Sequence, residues 1–371
     1  MSAYDATAKL TGKEVVPKIP LVPWKPAAGA ARLARAAFGG CLVFLLTPIR
    51  AQEPPLQASF ADRLYVLVDQ GERWTLAESG RDPLVLPGDG GETFTALTAL
   101  DRGWLAAGHR AAGGRGLELV LLAGDDAGVS SLPVPPIAAR GVASPQPVIE
   151  NGTLQGLVWL EGDDARSLGV RAASWTGAGF AAAEWVSPPA ETGSQLSLSA
   201  TVLRDGRWLL VWSAFDGADD EIVWSLRDGP TWTPPARLHA ANGVPDITPV
   251  VAAAGRGAVA AWSRYEAGHY RVRVARFRAG AWSDEERVGP AGSAFPFFVV
   301  DAAGRAPSLV FPSASRTVWD LLELDAAGQV RRRSRWDAPS RERPLVRRGS
   351  AGALALRWLS DASSPGAKGD G

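Results

Sequence analysis

A chain of 371 residues with 39 basic and 39 acidic side chains carries no net charge, so no bulk field draws it to nucleic acid or to an anionic membrane. One cysteine in the whole chain excludes a disulfide framework and a thiolate metal site. Length alone would accommodate two or three average domains, but the repeats below favour a single closed unit.

Lysine is confined to Lys9, Lys13, Lys18 and Lys25, with Lys368 the one exception. Arg32-Leu33-Ala34-Arg35 then precedes an apolar run over residues 36–46, Pro48, Ala51 and the polar Gln52-Glu53-Pro54-Pro55. A basic flank, a short apolar core and a small terminal residue are the layout of a secretory signal, and the core is short for a bilayer span. Residues 1–51 are therefore expected to be an N-terminal extension with a signal segment, cleaved near Ala51. A tail-anchored or re-entrant segment is the alternative. Cys41 would leave with the signal. The mature protein is expected to be secreted or periplasmic, of bacterial type, without a stable membrane span.

Over residues 60–360 one pattern recurs about every 50 residues: an apolar strand, a Gly turn, a Trp- or Val-ended strand, a third strand, and a second Gly turn. Trp212 to Trp262 and Trp232 to Trp282 are both steps of 50, so whole units repeat. Units are expected over 95–133, 147–186, 200–238, 249–288 and 296–333. Pro147, Pro249, Pro296 and Pro344 each precede apolar residues and are expected to open the innermost strands.

The first turns carry Gly103, Asn151-Gly152, Asp205-Gly206, Gly255, Gly304 and Gly349, which supply the positive φ that tight hairpins need. The second turns lead to Val129, Phe180, Trp232, Trp282 and Val330, expected to wedge between neighbouring sheets. Residues 344–358 provide two further strands, and 64–76 the two that would complete them, leaving no open sheet edge. The fold expected is all-β: a six-bladed β-propeller of four-stranded antiparallel blades, the sixth closed by strands from both termini. Residues 361–371 are expected to be a disordered polar tail.

The segment Ser225-Leu226-Arg227-Asp228-Gly229-Pro230-Thr231-Trp232 resembles the Asp box, Ser-x-Asp-x-Gly-x-x-Trp, with its Asp displaced by one. On this motif and the repeat around it, from about Leu64 to Trp358, the chain resembles the sialidase-like, Asp-box (BNR-type) six-bladed propellers. That resemblance implies, for a catalytic member, three Arg on a substrate carboxylate, a Tyr nucleophile activated by Glu, and an Asp acid/base. The opening unit has no Arg-Ile-Pro segment. Tyr265-Glu266 adjoin in sequence, yet neighbours on a strand point to opposite faces.

In such a propeller the loops between second and third strands, and those joining units, emerge on one face, and long loops on a rigid scaffold commonly carry function. That face is expected to present His109 and Arg110, then Asp163 and Asp164, then Asp216, Asp219, Asp220 and Glu221. Arg264, Tyr265, Glu266, His269 and Tyr270 follow, and Arg316 completes the set. An acidic sector thus lies beside a basic, aromatic one, as a polar ligand such as a sugar requires. Catalytic candidates are Tyr265, Glu266 and Asp164, the last two as a carboxylate pair across the channel.

The three histidines, His109, His239 and His269, show no metal spacing and read as solvated loop residues. Residues 216–221 could offer oxygen ligands to calcium but lack the spacing of a known calcium loop, so neither metal nor cofactor is expected. The dense run around Arg331-Arg332-Arg333 reads as charge protecting an edge strand or as a docking surface, with Trp336 inside it. The function expected is an exported, monomeric, non-catalytic propeller that binds a glycan, a protein or an envelope component. A glycoside hydrolase, exo-sialidase-like, with acids from the second to fourth units, is the alternative.

Overall fold

The computed structural model describes residues 56–357, apart from 61–62, 71–72, 79–80, 114–115, 138, 164–166, 191–193, 301–306, 316, 339–343 and 349–353. The signal segment, Cys41, the polar tail, Asp164 and Arg316 lie outside the described residues. Among the described residues no helix is long and apolar enough to cross a membrane.

The chain is all-β and forms six four-stranded antiparallel blades arranged as a β-propeller. The N-terminal blade comprises β1 (Leu56–Phe60), β2 (Arg63–Asp69), β3 (Trp74–Glu78) and β4 (Leu84–Val85). Blade 1 holds β5 (Thr93–Leu100), β6 (Gly103–Ala111), β7 (Leu117–Asp125) and β8 (Gly128–Ser131). Blade 2 holds β9 (Gly141–Glu150), β10 (Thr153–Gly162), β11 (Gly169–Ser174) and β12 (Glu184–Ser187). Blade 3 runs β13 (Gln195–Val202), β14 (Trp208–Phe215), β15 (Asp220–Asp228), β16 (Thr231–Trp232) and β17 (Ala236–Arg237), its outermost position split in two. Blade 4 repeats this as β18 (Asp246–Ala254), β19 (Gly257–Glu266), β20 (His269–Arg278), β21 (Ala281–Trp282) and β22 (Glu286–Arg287). Blade 5 holds β23 (Phe297–Val299), β24 (Ser308–Pro312), β25 (Val318–Leu324) and β26 (Val330–Asp337), and β27 (Leu345–Arg348) with β28 (Leu354–Arg357) forms a separate hairpin.

The blade count matches the sequence expectation; the closure differs from it. Strands β2 and β3 do not complete a sheet begun at the carboxyl end, because β1 supplies their innermost partner from the same end of the chain. The carboxyl-terminal hairpin instead occupies the gap between blade 5 and the N-terminal blade. Leu345 packs with Leu64 and Val66, whereas Val346 packs with Phe297, Val299 and Trp319. The Val346 N–H donates to Gln57 Oε1 at 2.9 Å. Packing of apolar side chains, rather than a shared hydrogen-bond ladder, closes the ring.

The prolines also sit differently. Pro296 and Pro344 directly precede β23 and β27, but Pro147 and Pro249 fall inside β9 and β18. The innermost strand faces the channel and is a sheet edge, so a missing N–H costs no ladder bond there. Each of β9, β13 and β18 shifts register at a residue of positive φ: Ser144 (48°), Ser197 (45°) and Thr248 (53°). These repeated bulges carry the innermost strands several residues further than the apolar pattern indicates. The turn at Asn151 (φ 49°) and Gly152 (φ 77°) has both central residues left-handed, the geometry a two-residue hairpin demands.

Three tryptophans at equivalent places, Trp159, Trp212 and Trp262, are completely buried on β10, β14 and β19. Each packs on the neighbouring blade; Trp262 lies against Leu203, Leu209 and Val211 of blade 3. Burial of a large apolar side chain contributes about 1.5–3 kcal/mol, so a ring of such contacts holds the blades in register. Val129, Phe180, Trp232 and Trp282 wedge between sheets as expected, but Val330 is 42% exposed and does not. Trp336 packs against the Phe297 cluster, and Arg335 pairs with the buried Asp320 at 3.2 Å, so part of the basic run is used within blade 5.

Candidate functional site

A channel cavity of about 990 Å³ is enclosed by the innermost strands, with walls that include Ala58, Leu97, Ala200, Val251, Val299 and Val346. Among its described lining residues Glu150 is the one carboxylate and Arg204 the one guanidinium. Neither Arg110, Arg264, Tyr265 nor Glu266 lines it. The polar chemistry lies instead at the loop-rich edge where blades 3 and 4 meet.

Strand alternation sets that edge. Across the β19–β20 hairpin Trp262 pairs with Arg273, Arg264 with Arg271 and Glu266 with His269, and these six share one face. Tyr265 and Tyr270 pair on the other face, rings 5.2 Å apart and edge to face. Tyr265 and Glu266 therefore project to opposite sides. Glu266 is held by Arg271 at 3.0 Å and Arg273 at 2.6 Å.

Asp246, the first residue of β18, is the centre of the Trp262 face and has no solvent exposure. Its Oδ1 accepts from Trp262 Nε1 and from Arg264 Nε, both at 2.8 Å. Its Oδ2 accepts from Arg264 at 2.9 Å and from Asn242 Nδ2 at 2.7 Å, and lies 3.1 Å from His239 Nε2. Arg264 also donates to Glu285. His239 is stacked on the Trp262 ring with centroids 5.4 Å apart. Burial works to raise the Asp246 carboxyl, but hydrogen bonds from His239 and Arg264 and their charges outweigh it and hold the group below its usual range. Burial likewise lowers His239, yet its bonds to Asp246 and to the Ala240 carbonyl leave the imidazole raised.

The β14–β15 loop brings its carboxylates to the same edge. Asp216 Oδ1 accepts the Ala218 and Asp219 N–H groups, forming the turn, and Oδ2 accepts from Arg237 at 2.5 Å. Asp219 and Glu221 are buried, at 6% and 1% exposure. Glu221 Oε1 accepts the Asn242 N–H at 3.3 Å. Burial raises Asp219, Asp220 and Glu221, with Asp220 pushed up to about 6 by burial and then by the charges of Asp219, Asp216 and Asp246.

The structure thus gathers Asp216, Asp219, Asp220, Glu221 and Arg264, with Glu266 on the same face of the β19–β20 hairpin as Arg264. It does not gather the rest. Arg110 pairs with Glu118 and, at 3.8 Å, Glu92; His109, beside it in blade 1, is lowered by burial. Asp163 is exposed on blade 2, and His269 is exposed at the hairpin tip. Asp246, His239, Asn242 and Glu285 are the members that sequence reasoning missed, and His239 is no solvated loop residue. One signal was available: Gln195 accepts the Trp212 indole N–H as Asp246 accepts that of Trp262, and both acceptors fall 16–17 residues ahead of their Trp.

No protein family matches the chain, and no curated protein is similar to it. Solved structures with a similar fold include an ulvan lyase of polysaccharide lyase family PL25, at 11% identity and TM-score 0.52, over 77% of this chain and 86% of that one. A six-bladed, fucose-recognising lectin of Aleuria aurantia gives 10% identity and TM-score 0.46, over 78% and 96%. A thermostable family-43 glycoside hydrolase gives 12% and 0.43, over 65% and 93%. At these identities the likeness is one of fold.

Proposed function

We propose that the chain is an exported β-propeller that binds a glycan, without turning it over, at the loop-rich end of blade 4. The observation that carries the reading is the aromatic pair at the tip of β19–β20. Tyr265 is 41% exposed and braced edge to face by Tyr270 at the tip of the hairpin, while Arg264, Glu266 and Arg271 lie on the hairpin's other face. A sugar ring offers an apolar face to such an aromatic and hydroxyls to such charges. The ulvan lyase, which shares the fold, acts on a polysaccharide; that analogy favours a glycan over other polar ligands, including an envelope protein. The C-terminal turns of the repeats read as degenerate Asp boxes: Ser225 Oγ donates to the Thr233 carbonyl at 2.7 Å, and Trp232 Nε1 reaches Glu184 of blade 2 at 2.9 Å.

The exo-sialidase-like reading has less support. Tyr265 and Glu266 face opposite ways, and Arg110 and Arg264 are committed to separate carboxylates. In a glycan-array screen followed by calorimetry, Tyr265→Ala should weaken binding of the best glycan by about tenfold or more, since exposed aromatics dominate such contacts. Far-UV circular dichroism should be unchanged and no reducing ends should be released. Unaltered affinity in Tyr265→Ala and Tyr270→Ala, or steady release of reducing sugar, would overturn the reading.

Export is part of the same proposal. Mass measurement of protein recovered outside the cytoplasm should find an N-terminus near Gln52. A soluble cytoplasmic product retaining residues 1–51 would contradict it.

A further inference from the structure

We propose that the β14–β15 loop of blade 3 binds a divalent cation of the calcium class through Asp216, Asp219 and Glu221. One carboxylate oxygen from each lies within 4.8 Å of the other two. Two oxygens bound to one calcium at about 2.4 Å are separated by at most about 5 Å, so the spacing suits a shared ion.

A second observation is independent of that clustering. Asp219 Oδ2 and Glu221 Oε2 are buried and accept no hydrogen bond, in residues that are 6% and 1% exposed. Buried carboxylate oxygens are ordinarily paired, and Asp219 Oδ2 has no partner, while Glu221 Oε2 has only the His239 ring nitrogen at 3.7 Å, beyond hydrogen-bond distance. The protein's own charges give neither oxygen a close partner. Among the described residues, the cations in ion-pair range of the triad are Arg237, at 2.5 Å from Asp216, and His239, at 3.7 Å from Glu221. Asp219 has none, and Asp220 adds a further carboxyl beside it. Arg237 has a side chain 45% exposed and can release Asp216 to solvent-facing coordination.

Ligand type selects the metal. The triad is all carboxylate, which hard cations prefer. His239 and Asp246 also lie near Glu221, but Asp246 is saturated by Trp262, Arg264 and Asn242, so the nitrogen-containing group that would favour zinc is already used. The ion would fix the loop that frames the blade 3–4 edge without entering the contacts at Tyr265.

The test uses the full chain, stripped with EDTA, with terbium luminescence and thermal melting as readouts; neither depends on a glycan. Terbium should bind and be displaced by calcium but not by comparable magnesium, and calcium should raise the melting temperature. Asp219→Asn and Glu221→Gln should each weaken terbium binding by about tenfold or more and abolish the calcium-dependent rise. Should one variant fail to fold, the other serves alone. Absence of any calcium effect on the wild type, terbium binding in both variants equal to that of the wild type, or stabilisation by zinc and not calcium would overturn the proposal.

Discussion

Asp246→Ala is expected to destabilise the protein by about 3–5 kcal/mol, the range for removing one partner of a buried charge pair. The substitution strands the Arg264 guanidinium, the Trp262 indole N–H, the Asn242 amide and His239 together, because all four converge on this one unexposed carboxylate. Glu285 still meets Arg264 and offsets part of the loss. Thermal melting should show a fall on the order of 10 °C, at roughly 2–4 °C per kcal/mol for a chain of this class. Leu or Met at 246 should cost no less than Ala, since neither restores an acceptor.

The same cluster sets a pH dependence with a definite sign. Asp246 is held below its reference value of 3.8, so its contribution is complete above that value and is lost as pH falls through the lower folded one. His239 is held above its reference value of 6.5, so its contribution is complete below 6.5 and fades as pH rises through the folded value. Arg264, Glu221 and Glu285 face the pair, and burial raises the Glu221 carboxyl, so its protonation adds to the acid side of the profile. Both contributions are therefore present together between about pH 4 and 6.5. Asp246→Ala should flatten this part of the stability profile, and melting curves across pH 3–9 of wild type and variant provide the comparison.

The second large effect belongs to the closing hairpin. Val346 is 2% exposed among Phe297, Val299, Val310, Trp319 and Leu321, and Leu345 is 3% exposed against Leu64 and Val66. Val346→Asp places an unpaired carboxylate in that apolar seam and should cost several kcal/mol, about 3 or more, or force the hairpin out. Either outcome bares the innermost edges of β1 and β23, which are unpaired strand edges of the kind that recruit other chains. Aggregation on size-exclusion chromatography, with a lower melting temperature, is the expected result. Val346→Ile should be close to neutral, because it preserves the seam.

The blade count was legible because it rests on periodic residues: buried Trp159, Trp212 and Trp262, about 50 positions apart, and Gly turns at matching places in each unit. The closure was not. Residues 344–358 and 64–76 each show two strands' worth of pattern, and Leu56–Phe60, although Leu-Gln-Ala-Ser-Phe alternates apolar and polar residues, is only five residues long and directly follows Pro54-Pro55, so it reads as part of the segment behind the signal. Its pairing with β2 changes the arithmetic of the ring. The innermost strands were read short for a related reason. Ser144-Pro145, Ser197 and Thr248-Pro249 look like loop, yet they are bulges within strands.

That misreading hid Asp246, which lies just ahead of Thr248-Pro249 and so seemed to belong to a linker. The acidic run 216–221 and the Arg264-to-Tyr270 segment could be found from composition and unit position alone. Their joining through Asp246 and His239 could not, because it depends on how adjacent blades meet side by side. No periodicity within one unit reports that contact.

Every site described depends on the ring being closed by the hairpin, so that six blades are held in fixed order and their loops share one end. The most direct measurement is cross-linking of cysteines placed at Gln57 and Val346, in a chain whose Cys41 is replaced by Ser, with a short bismaleimide and peptide mapping. A linked peptide joining the first strand to the carboxyl-terminal hairpin, formed within the monomer and lost on unfolding, is the predicted result. Absence of that link in folded monomer, or a link formed only between two chains, would contradict the account.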